Sequence, residues 1–146
     1  METDGVDYHF LTVEDFKNKI SSDEFIEWEE VYKNGFYGTL KSEVENIWKQ
    51  DKVAVFDVDV EGGLKIKDQF VNTVLAVFVK PPTIDDLHIR LKARETETPE
   101  SLKARIAKSE HELTYTSRFD HVIINDDKEK AFHEAQEMVD EFLRKS

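Results

Sequence analysis

Two carboxylates, Asp57 and Asp59, follow directly on the apolar run Val53-Ala54-Val55-Phe56. Side chains alternate across a strand, so acids at this spacing share a face if the strand reaches Asp59. Open α/β sheets bind ligands beyond the carboxyl ends of their strands. Acids placed there suit a metal, a phosphate-bound metal or the reading of a base. They equally suit capping the following helix in contact with solvent. A second cluster is cationic. Of five arginines, Arg90 and Arg94 are four apart and share one helix face, and Arg105 lies on the next helix. Guanidinium forks match phosphate oxygens and the charge that develops on a transferred phosphoryl group. Pairing with Glu95, Glu97 and Glu100 on a solvated face is the plainer use of the same residues. A third group is Tyr8, Tyr32 and Tyr37, whose rings suit packing and whose hydroxyls suit ligand binding.

The elements that must position these residues follow from periodicity and end signals. Residues 7–10 read as a short strand. Thr12, with Asp15 three positions on, caps a helix whose stripe is Val13, Phe16 and Ile20. Residues 25–32 and 36–39 read as strands joined by a Lys33-Asn34-Gly35 turn, giving a small antiparallel lobe. A helix over 40–49 buries Leu40, Val44, Ile47 and Trp48. The run from Val53 to Phe56 reads as a strand buried on both faces, and a helix follows over 61–70. Residues 74–79 form a second apolar strand, stopped by Lys80-Pro81-Pro82. Thr83 caps a helix burying Ile84, Leu87 and Leu91. Thr98-Pro99 starts another, burying Leu102, Ile106 and Leu113. Residues 121–124 form the third apolar strand, leading into Asn125-Asp126-Asp127. The last helix, 128–143, buries Ala131, Phe132, Ala135, Val139, Phe142 and Leu143. Alternating strands and helices from residue 40 onward imply a parallel α/β sheet.

With 146 residues the chain is expected to form one domain with a real core. Its net charge of −12 argues against nucleic-acid or anionic-membrane partners. It has no cysteine, which removes disulfides, thiol catalysis and zinc thiolates, and a cytoplasmic setting is expected. No G-x-x-x-x-G-K-[ST] loop, G-x-S-x-G elbow or H-E-x-x-H pair occurs. The histidines at 9, 88, 111, 121 and 133 make no metal-ligand spacing.

Several stretches, taken in order, resemble the guanylate kinases, which transfer phosphate from ATP to GMP. They are Gly5-Val6-Asp7-Tyr8-His9-Phe10, Glu24-Phe25-Ile26-Glu27-Trp28, Tyr37-Gly38-Thr39 and Phe56-Asp57-Val58-Asp59. Pro81-Pro82, Arg94-Glu95-Thr96-Glu97-Thr98 and Val122-Ile123-Ile124-Asn125-Asp126-Asp127 continue the series. The resemblance implies a P-loop-kinase-like parallel sheet flanked by helices, with a small antiparallel GMP-binding lobe and a helical lid. It places the lobe at about 5–39, the core at 40–82 and 114–146, and the lid at 83–113, all in a single domain of 1–146. It implies that Tyr8 and Tyr37 bind the GMP phosphate, and that Glu27 and Thr39, with Asp59, read the guanine edge. Asp57 would sit near the phosphates and Mg2+, reaching the metal through water at most. Arg90, Arg94 and Arg105 would act on the transferring phosphoryl group, with Arg90 and Arg94 also on ATP, and Asn125 would approach adenine.

The departures from the family pattern are as informative. The first strand and Gly-rich Lys-Ser/Thr loop of the family are absent from the 146 residues. The chain is therefore expected to be an N-terminally truncated guanylate kinase, inactive alone, with self-association through exposed strand edges. Glu95 stands where the family usually has glycine. The alternative class is a non-catalytic guanylate-kinase-like protein-interaction module, against which the retained Glu27, Asp57, Asp59 and three arginines speak.

Overall fold

The computed structural model describes residues 3–5, 8–93 and 98–145. The described chain divides into two compact units, Met1–Gln69 and Phe70–Ser146.

The first unit is built on a hairpin. Strands β1 (Phe25–Tyr32) and β2 (Gly35–Leu40) pair antiparallel, with Glu27 opposite Thr39 and Glu29 opposite Tyr37. Asn34 turns the chain with φ of 62°, the left-handed region that asparagine tolerates. Helix α1 (Val13–Ser21) begins where expected, because the Thr12 hydroxyl accepts the Asp15 N–H at 3.1 Å. Its Phe16 stacks on Phe25 and Phe36, with ring centroids 4.3 and 5.2 Å away. Helix α2 (Lys41–Lys49) leaves β2 directly, and helix α3 (Val60–Gln69) packs on β1. Gln69 locks that packing by donating to the Ile26 carbonyl at 2.7 Å. The core is Phe16, Phe25, Ile26, Val44, Leu64 and Ile66.

The expected strand over 53–56 does not form. Residues 52–59 carry no secondary structure, and Val55 is 90% exposed. Apolar character makes this run suit a sheet interior, but a strand exists only where a neighbour supplies the ladder. Among the described residues none does. Asp57 and Asp59 are therefore not held on a common strand face. The expected strand over 7–10 reduces, among described residues, to one isolated parallel bridge between Asp4 and Tyr8. Trp48, expected inside, is half exposed.

The second unit centres on two parallel strands, β3 (Val77–Lys80) and β4 (His121–Ile124), paired from Val77 with His121 to Lys80 with Ile124. Its core is Ala76, Phe78, Ile123 and Ala131. Asp120 extends the pairing by accepting the Ala76 N–H at 2.8 Å, and the Asn125 N–H donates to the Lys80 carbonyl at 2.8 Å. Between the strands run α4 (Ile84–Lys92), α5 (Pro99–Glu112) and a 3-10 turn (Leu113–Arg118). Thr83 and Thr98 cap the two helices as expected, each accepting an N–H three residues on. Neither helix buries a residue fully, and Ile84, expected inward, is exposed. The two are tied by His88 and Glu110, 2.8 Å apart.

Helix α6 (Lys128–Lys145) packs on β4. Of its apolar stripe only Ala131 is buried, while Phe132, Val139 and Leu143 are exposed. At 1.5 Å per residue its 18 residues run about 27 Å. A strand of four residues runs about 13 Å, so two such strands cannot cover it. The mixed architecture, an antiparallel lobe plus a parallel pair flanked by helices, matches the α/β class expected.

Candidate active site

The hairpin of the first unit places Glu27 beside Thr39 through strand register alone. Residues directly opposite in an antiparallel pair bring their Cβ atoms about 5 Å apart. The Thr39 hydroxyl donates to Glu27 Oε1 at 2.7 Å. Among the described residues Glu27 is the charged residue most withdrawn from solvent, at 8% exposure. Among the described residues Thr39 is its hydrogen-bond donor, which leaves a buried carboxylate with acceptor capacity to spare. A buried carboxylate short of donors is costly, and a ligand presenting two adjacent N–H groups would offset that cost.

Asp59 sits close by for a different reason. It caps α3, accepting the Gly62 N–H at Oδ1, 2.8 Å away. The capping role that the spacing left open is thus realised. The cap also fixes where the carboxylate stands. Gly62 lies between the two acids: a Cβ there would be 3.1 Å from Asp59 Oδ1 and 3.2 Å from Glu27 Oε2. Gly62 was not among the residues singled out from the sequence. The available signal was the Gly-Gly pair that begins three residues after Asp59.

A cleft of about 770 Å³ opens in the same unit, lined by Tyr8, Tyr37, Thr39 and Asp57 among others. The Tyr8 and Tyr37 rings meet edge to face, 5.7 Å between centroids. That contact sets two phenols from segments far apart in sequence side by side on one wall. Asp57 is exposed at the cleft. Among the described residues no group of three His, Cys, Asp or Glu forms a metal cage. A hard cation bound mainly by nucleotide phosphates and water needs only one or two protein carboxylates. An exposed Asp57 fits that requirement. So the five residues expected on the GMP side, Tyr8, Glu27, Tyr37, Thr39 and Asp59, lie in the first unit, as does Asp57, expected near the phosphates and Mg2+.

The residues expected on the ATP side lie in the second unit. Arg90 near the end of α4 donates from Nη1 to the Asn125 carbonyl at 2.7 Å, joining α4 to the residue after β4. Arg105 is on α5, exposed. Arg94, with Glu95, lies outside the described residues.

The guanylate kinase family model matches residues 1–142. The chain is similar to the guanylate kinase of Bacteroides thetaiotaomicron, 48% identical over 144 residues, covering 99% of this chain and 71% of the relative. It is 42% identical over 144 residues to that of Porphyromonas gingivalis, covering 99% of this chain and 77% of the relative. Among solved structures, the crystal structure of guanylate kinase from Anaplasma phagocytophilum superposes with a TM-score of 0.73. It is 26% identical and covers 96% of this chain and 68% of that one.

Proposed function

The chain belongs to the guanylate kinase family, nucleoside monophosphate kinases, and from that premise we propose that its first unit binds GMP as phosphoryl acceptor. The observation that carries this reading is the buried Glu27 carboxylate with Thr39 as its donor. Guanine presents a ring N–H beside an exocyclic amine, two donors that a carboxylate accepts together. Adenine lacks that pair and would leave Glu27 desolvated and unpaired. Thr39 holds one carboxylate oxygen and orients the other, and Asp59 adds a second acceptor beside it. Tyr8 and Tyr37 donate their hydroxyls to the GMP phosphate from the cleft wall.

In the second unit Arg90, Arg94 and Arg105 carry the positive charge for the phosphoryl group. The γ-phosphorus–oxygen bond of ATP breaks and a new bond forms to a phosphate oxygen of GMP, giving ADP and GDP. Charge spreads over the transferring oxygens, and guanidinium groups stabilise it. Asn125 lies toward the adenine of ATP, and its backbone contact with Arg90 couples that position to an arginine. Mg2+, brought by ATP, neutralises phosphate charge, and Asp57 would hold one of its waters. The division into lobe, core and lid at 5–39, 40–82 with 114–146, and 83–113 belongs to the same reading. So does a cytoplasmic setting; among the described residues no helix is long and apolar enough to cross a membrane.

The 146 residues contain no Gly-rich Lys-Ser/Thr loop to cradle the ATP phosphates. We therefore propose that this chain by itself binds GMP but turns over negligibly. Titration calorimetry tests the binding reading. GMP should bind saturably and AMP at least about tenfold more weakly. Glu27→Gln replaces an acceptor oxygen by a donor and should weaken GMP by about 10–100-fold. Equal affinities for GMP and AMP, or a Glu27→Gln variant that binds GMP normally, would overturn it.

A further inference from the structure

We propose that Gly62 is a positioning residue for base selectivity, because only a residue without a Cβ lets the two acids of the first unit, Glu27 and Asp59, converge. The inference rests on the reading of the lobe as a GMP site. Gly62 is buried in the first turn of α3, where that helix packs on β1. A Cβ added there meets three groups at once: Asp59 Oδ1 at 3.1 Å, Glu27 Oε2 at 3.2 Å and Val58 Cβ at 3.2 Å. Two of these are carboxylate oxygens of the residues assigned to guanine. Both oxygens therefore lie around one point, and the volume between them is free only because residue 62 is glycine. A methyl group there pushes both carboxylates outward by a few tenths of an ångström and interposes an apolar surface between two acceptors. The Gly62 N–H that caps onto Asp59 would survive the change, so the cap itself is not what the glycine is needed for.

Helix physics makes the opposite demand. Glycine weakens a helix interior relative to alanine, so α3 would be stronger with alanine at this position. A glycine that runs against helix propensity, at a point where two site acids crowd it, fits a requirement of the site rather than of the helix.

Gly62→Ala separates these demands. The variant should melt at a temperature no lower than the unsubstituted chain. By titration calorimetry it should bind GMP about tenfold more weakly, the order expected when site groups are misplaced by a fraction of an ångström. It should also lose part of its preference for GMP over AMP. Glu27→Asp, one methylene shorter, withdraws its carboxylate from the crowded point. It should therefore weaken GMP binding less in the Gly62→Ala background than in the unsubstituted chain. Unchanged GMP affinity in Gly62→Ala would overturn the inference, as would additive effects in the double variant or failure of Gly62→Ala to fold. If the unsubstituted chain binds no GMP, the reading of the lobe fails, and the inference fails with it.

Discussion

Glu27 draws its significance from what surrounds it rather than from its charge. Most glutamates of this acidic chain are solvated, whereas Glu27 is withdrawn and held by the Thr39 hydroxyl. Removing that hydroxyl leaves the carboxylate buried with a lost partner. Thr39→Ala should cost about 1–3 kcal/mol of stability, read as a lowered chemical-denaturation midpoint. The pairing was legible in the sequence only in part. Alternation and the Lys33-Asn34-Gly35 turn gave the hairpin, while the roles of Glu27 and Thr39 came from resemblance. The register that sets them opposite each other is a structural finding. Asp59 shows the reverse case: its spacing suits capping and base reading alike, and the cap is what fixes the carboxylate beside Glu27. The crowding at Gly62 emerges only in the structure, because Glu27 reaches it from β1, distant in sequence.

At the scale of elements, end signals and long periodic stripes were legible. Thr12, Thr83 and Thr98 cap their helices through local hydrogen bonds, so nearby residues decide the outcome. Strand β4 and the start of α6 fall where the apolar run and its boundary put them. Residues 53–56 show the limit. Their composition reports a preference for burial, but pairing depends on a neighbour that composition cannot supply. The structure leaves Val53 and Val55 exposed. Three outcomes at this scale are measurable. Val55→Ser should change stability by no more than about 0.5 kcal/mol, as at ordinary exposed sites. Phe16→Ala, which empties the stack with Phe25 and Phe36, should cost about 3–5 kcal/mol in the same denaturation assay. In amide exchange, residues 53–58 should exchange fast while the β3–β4 pair is protected. The same reasoning explains α6, whose periodicity was correct and whose burial was overestimated, because the strands that would cover its stripe are short.

For the whole molecule, the family was legible because the matching stretches occur in order along nearly the full chain. The comparisons extend that match over residues 1–142. The distribution of the site residues was less legible. The residues proposed to bind GMP fall in one compact unit, the arginines and Asn125 in the other. On the proposed reading, a chain with no Gly-rich loop should consume no ATP in response to GMP with Mg2+ present. A coupled ADP assay reads this directly, and robust turnover would show that the loop is dispensable. The central claim, that the first unit is a guanine-reading site built on Glu27, is met most directly by a crystal structure of this chain with GMP. The base edge should lie within hydrogen-bond distance of Glu27, beside Thr39 and Asp59, with the phosphate at Tyr8 and Tyr37. A base bound away from Glu27, or a nucleotide with its phosphate against that carboxylate, would contradict the account.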